Sequence, residues 1–83
     1  MTVADKLALW GYEDVMIFEN PSYDDALIGV STDNRAIYDY GLMMEWLQNN
    51  YEWDYDESVE WIEYNTIRAL PYYPNAPIVI RRL

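Results

Sequence analysis

Six carboxylates fall within twelve residues of this chain: Glu52, Asp54, Asp56, Glu57, Glu60 and Glu63. Trp53 and Trp61 stand among them, and no Lys or Arg does. Metal binding is the first chemistry such a set suggests. Counted from Glu52, the acids at 52, 54, 56, 60 and 63 take positions 1, 3, 5, 9 and 12 of an EF-hand calcium loop, with apolar Val59 at position 8. Position 6, where the loop needs glycine for its sharp turn, is Glu57, and position 1 is Glu rather than Asp. A helical pattern also begins inside the proposed loop and would straighten it. No metal and no cofactor is expected.

A second use of the same acids is structural. Asp54, Asp56 and Glu57 crowd the first turn of a helix, where the positive end of the macrodipole favours carboxylates by about 0.3–1 kcal/mol each. That covers the first turn and leaves Glu52, Glu60 and Glu63 unexplained. Glu57, Glu60 and Glu63 follow one another at about one helical turn, roughly 5–6 Å between Cβ atoms, and like charges at that spacing weaken a helix. The spacing is near the phosphate repeat of an extended nucleic-acid strand. A partner arginine meets carboxylates by bidentate pairing and indole rings by cation–π contact. The candidate partner-binding set is therefore Glu52, Trp53, Asp54, Asp56, Glu57, Glu60, Trp61 and Glu63, extended by Asp24 and Asp25. The bland alternative is that the charge serves solubility.

Catalysis finds little to work with. The chain has no His and no Cys, and its only Lys is Lys6. The common general base, a thiol nucleophile and a disulfide are all excluded. Ser22, Ser31 and Ser58 have no imidazole to activate them. Paired carboxylates of the glycosidase kind need a cleft in a larger scaffold. Gly11, Gly29 and Gly41 are scattered and make no phosphate-cradling loop. The chain is not expected to be an enzyme.

The balance of charge points to the partner. Fifteen acids oppose five bases, for a net charge of −10. Residues 1–67 carry −13, with Lys6 and Arg35 their only bases, while Arg68, Arg81 and Arg82 give residues 68–83 a charge of +3. Such a body is repelled by nucleic acid and by anionic membrane and steered toward a basic protein surface. No apolar run approaches the ~18 residues of a membrane-spanning helix, and the N-terminus does not read as a signal peptide. A cytoplasmic protein is expected.

These residues need a scaffold, and 83 residues, 52 % of them apolar, suffice for one domain over 1–83 with a small core. Residues 2–10 read as a short helix, with Thr2 and Asp5 at capping-box spacing and Gly11 placed to end it. Val15–Phe18 reads as a strand, 20–25 as a turn, Ala26–Ser31 as a second strand, 32–35 as a tight turn and Ala36–Tyr38 as the returning strand. Leu42, Met43, Trp46 and Leu47 then mark one face of a helix closing at Asn49–Asn50. Asp54 and Glu57 again have capping-box spacing. Tyr55, Val59, Ile62, Thr66 and Ala69 form the inward face of a second long helix that Pro71 stops. Residues 71–77 are irregular, and 78–82 form the last strand, with Arg81 and Arg82 paired with acids or solubilising the sheet edge. The expected fold is α+β: a small, mainly antiparallel sheet of three to four strands with two to three helices packed on one face.

Two stretches, ALIGVSTDNRAIYDYGLMMEWL and ESVEWIEYNTIRALPYYPNAPIVI, resemble a group of short acidic proteins encoded by phages, prophages and integrative elements of Gram-positive bacteria. The resemblance covers roughly residues 24–80, and WIEYNTIRALPY is its most specific part. It implies a genetic setting and no site residues. In that setting, small acidic proteins act as inhibitors of host defence, of the anti-CRISPR or antirestriction kind. The implied partner is a basic nucleic-acid-binding nuclease or its guide complex in the bacterial host cell, met by an acidic face that stands in for phosphates. The alternative is a self-associating structural or regulatory protein of a mobile element.

Overall fold

A computed structural model describes residues 3–19 and 21–83. Thr2 of the first capping pair and Asn20 of the expected turn lie outside the described residues. Helix α1 spans Val3–Leu9. It ends in a Schellman motif: the Tyr12 amide reaches the Leu7 carbonyl at 2.7 Å and the Gly11 amide reaches Ala8 at 3.1 Å. That closure needs a left-handed residue, and Gly11 supplies it at φ 84°.

The sheet has three strands in the order β1 (Leu27–Val30), β2 (Ala36–Asp39), β3 (Ile78–Ile80). The first two form the expected hairpin, with a bulge between Leu27 and Gly29. Its turn is closed by the Ser31 amide on the Arg35 carbonyl at 2.8 Å, with Asn34 left-handed at φ 61°. β3 pairs with β2 in parallel, in the register Ile37 to Ile78 and Asp39 to Ile80. The sheet is thus mixed, not mainly antiparallel. The cause is the connection: parallel strands need a long crossover, and residues 40–77 supply one made of helices. Helices α2 (Tyr40–Tyr51) and α3 (Tyr55–Trp61) lie in it.

The expected strand at Val15–Phe18 is absent from this sheet. Val15, Ile17 and Phe18 pack on the core as an irregular strap. Ile17 and Phe18 are neighbours and both half-buried, which breaks the alternation that a sheet edge requires. The Phe18 amide donates instead to the Tyr38 hydroxyl at 3.2 Å. The long second helix is also shorter than expected. After Trp61 it widens into a π turn over Ile62–Thr66 and then tightens into a 3-10 segment over Ile67–Tyr72 that includes Pro71. Ile62 and Thr66 both stay buried, and Val59 and Ala69 are half-buried, as the sequence predicts. Tyr55 does not join them: it is 65 % exposed, because the helix starts at Tyr55 itself and turns its first residue outward.

The core gathers Tyr23, Ala26, Ala36, Tyr38, Tyr40, Met43, Met44, Leu47 and Ile62. Helix α2 is its hub, packed against β2, α3 and the 3-10 turn Asp24–Ala26. Leu42, Met43, Trp46 and Leu47 face inward as their spacing predicts. No helix among the described residues is long and apolar enough to cross a membrane.

Candidate functional site

The acidic segment is built around the junction of α2 and α3. Helix α2 runs one residue past Asn50, to Tyr51, and Glu52 caps it in the left-handed region at φ 57°. This is a position that favours Gly or Asn. Asp54 then caps α3 with both bonds of a capping box. The Glu57 amide donates to Asp54 Oδ1 at 2.8 Å, and the Asp54 amide donates to Glu57 Oε1 at 3.4 Å. Ser58, fully buried, donates to the Asp54 carbonyl at 2.9 Å and fixes the same corner.

A chain of rings holds the tryptophans in place. Tyr23 meets Trp46 at 5.6 Å between centroids, Trp46 meets Tyr51 at 5.8 Å, Tyr51 stacks on Trp53 at 4.9 Å, and Trp53 meets Trp61 at 5.3 Å. Contacts of this kind contribute about 0.5–1.5 kcal/mol each beyond burial. Trp53 and Trp61 are therefore half-buried and packed on the core rather than standing free. Each still turns part of its surface into a shallow cleft of about 340 Å³ that also takes in Glu57, Glu60, Tyr64 and Asn65.

Glu52, Asp54, Asp56, Glu57 and Glu60 are all exposed, and none makes an ion pair among the described residues. Glu60 sits in the last turn of α3, which carries no basic residue. The cleft thus offers ring faces and two carboxylates at one place, a combination suited to a guanidinium or ammonium group.

Glu63 has a different setting. It is half-buried, accepts a hydrogen bond from the Tyr40 hydroxyl at 3.1 Å and faces Arg81 at 3.7 Å. Arg81 also lies over the Tyr40 ring, 4.4 Å from its centroid. Burial, and then the bond to Glu63, raise the Tyr40 pKa. Glu63 is therefore partly neutralised by the chain itself. Asp24 and Asp25 are exposed on their own 3-10 turn, and no hydrogen bond, ion pair or shared cleft joins them to the α3 acids. Among the described residues no group of three or more acids comes together to hold a metal. The spacing that suggests a calcium loop is taken up by helix from Tyr55 onward.

Tyr64 and Asn65 belong to the cleft although the sequence does not single them out. The spacing of Tyr64, four residues after Glu60, is the one clue to it. No family model, curated protein or solved structure matches this chain.

Proposed function

We propose that the protein is a phage- or mobile-element-encoded inhibitor acting in the cytoplasm of a bacterial host. It binds a basic nucleic-acid-handling protein, a CRISPR nuclease or effector or a restriction enzyme, through the acidic face at the α2–α3 junction. It carries out no catalysis and needs no metal. The carrying observation is that five carboxylates of the α2–α3 junction, Glu52, Asp54, Asp56, Glu57 and Glu60, are exposed and make no ion pair among the described residues, and that two of them, Glu57 and Glu60, line an aromatic cleft. The conformation of Glu52 adds support. A left-handed side-chain residue costs about 1–2 kcal/mol, and a carboxylate brings the fold nothing there that glycine would not. The resemblance to phage and prophage proteins supplies the setting, and the charge supplies the mode: the acids occupy the channel that otherwise holds phosphates.

The test is a pull-down from host lysate at low and high salt, followed by competition with DNA or guide RNA. The expected result is capture of a basic nucleic-acid-binding protein that is lost at high salt and displaced by nucleic acid. Recovery of no such protein at either salt removes the reading.

A second reading is self-association, and it rests on Leu9, Trp10 and Tyr72, which are 72 %, 80 % and 83 % exposed. Light scattering at two salt concentrations separates the two. A self-associating protein grows in size as its charge is screened, and an inhibitor of this kind stays a constant size.

A further inference from the structure

The acidic cleft is not the larger concavity. A groove of about 610 Å³ opens between the 15–18 strap and the stretch from Trp61 to Leu70. It exists because the strap crosses the core without joining the sheet. Its walls are apolar, with Leu7 and Phe18 on one side and Ala69 and Leu70 on the other. Its size falls within the ~300–1,000 Å³ typical of small-molecule sites.

The inner end is polar. Tyr23, which is 0 % exposed, shares a 2.8 Å hydrogen bond with Thr66 Oγ1. Beside the Tyr23 hydroxyl lies the Trp61 indole, whose Nε1 is the one buried side-chain polar atom without a hydrogen-bond partner among the described residues. Tyr23 and Thr66 line this groove and not the acidic cleft, so the indole N–H stands at the groove's inner end. Tyr23 and Thr66 satisfy each other, and the neighbouring indole N–H meets neither hydroxyl in hydrogen-bond geometry, which leaves it without an acceptor. An unpaired buried donor is costly to keep. An anion is a poor candidate to supply the acceptor. Glu13 and Glu19 line the groove, both exposed, and burial raises the Tyr23 pKa, the mark of a site that resists negative charge.

We propose that this groove binds a small uncharged molecule with an apolar ring and a hydrogen-bond acceptor, the acceptor pairing with Trp61 Nε1–H. The groove and the acidic cleft meet at Trp61 and Asn65, which line both, but the groove's occupant does not depend on the reading of the acidic face.

The full-length protein, labelled with ¹⁵N, is titrated with acetophenone, with α-methylstyrene (the same shape without the carbonyl oxygen) and with benzoate. Acetophenone is expected to bind saturably, moving the Trp61 indole signal and the amides of Ala69 and Leu70. It should bind about two- to tenfold tighter than α-methylstyrene, the net worth of one hydrogen bond, with benzoate weakest. Ala69→Leu, which fills the groove from a half-buried position, should keep the wild-type melting curve and lose acetophenone binding. The proposal is overturned by absence of saturable binding. Equal affinity for the two neutral probes with the Trp61 signal unmoved would also overturn it, as would undiminished binding to a folded Ala69→Leu variant. A dimer by light scattering that protects Ala69 and Leu70 would give the groove to a second copy and sink it as well.

Discussion

Helix α2 carries a carboxylate at each end, and the two sit in opposite surroundings. Asp39 is 4 % exposed, accepts the Leu42 amide at 2.9 Å as the N-cap, and is paired with Arg82. Glu52, at the other end, is exposed, unpaired among the described residues and held in a backbone conformation suited to glycine. The difference comes from where the chain returns. β3 brings Arg81 and Arg82 back beside β2, within reach of Glu63 and Asp39. The α2–α3 junction receives no such cation. A total of −10 therefore hides two populations of acids: those that complete the fold, and those the fold would do without.

Variants at the two ends should separate these populations. Asp39→Ala is expected to have the largest effect, a loss of about 1–2 kcal/mol in urea denaturation, because it removes a helix cap and leaves Arg82 without its carboxylate. Asp39→Asn keeps the cap and should lose less. The Leu42 amide, and then Arg82, outweigh burial and hold the Asp39 carboxyl below the usual carboxylate range. A depressed folded pKa stabilises above the unfolded value and loses that contribution as pH falls through the folded one. Wild-type stability should therefore decline below about pH 4, and Asp39→Asn should flatten that part of the acid-unfolding curve, followed by circular dichroism.

Asp54→Ala should cost about 1 kcal/mol, since it breaks the capping box of α3. Glu52→Gly should act in the opposite sense. It relieves the left-handed strain, partly offset by the extra freedom glycine gives the unfolded chain, for a net gain of roughly 0.5–1 kcal/mol. Thermal melts of both variants would check the pair, and a Glu52→Gly protein less stable than wild type would show that Glu52 serves the fold. Glu60→Gln should change stability least, by a few tenths of a kcal/mol toward greater stability, while weakening capture of a basic partner.

The hairpin, the α2 face, the capping box of α3 and the last strand are legible in the sequence because each rests on local chemistry. Asp-Asn in the turn, apolar residues at helical spacing, and Asp54 with Glu57 act within a few residues of one another. What escapes is non-local. Val15–Phe18 has strand composition, yet its amide partner is the hydroxyl of Tyr38, twenty residues away. The parallel pairing of β3 depends on a crossover whose path no local pattern encodes. The π turn over Ile62–Thr66 leaves no mark in the pattern, because Ile62 and Thr66, four residues apart, share a face in a regular α-helix as well. At the site, the exposed acids were legible as a set, but the capture of Glu63 by Tyr40 and Arg81 and the separation of Asp24 and Asp25 depend on the tertiary arrangement.

The most direct measurement is an NMR titration of the ¹⁵N-labelled protein with a short oligoarginine peptide at low and high salt. The result expected is a set of shifts centred on the Trp53 and Trp61 indoles and the amides of Glu57, Glu60 and Tyr64, fading as salt rises. Shifts spread equally over Glu13, Asp14, Asp24, Asp25 and Asp33, or a response at Trp53 and Trp61 no larger than elsewhere, would contradict an acidic face built to receive a cationic partner.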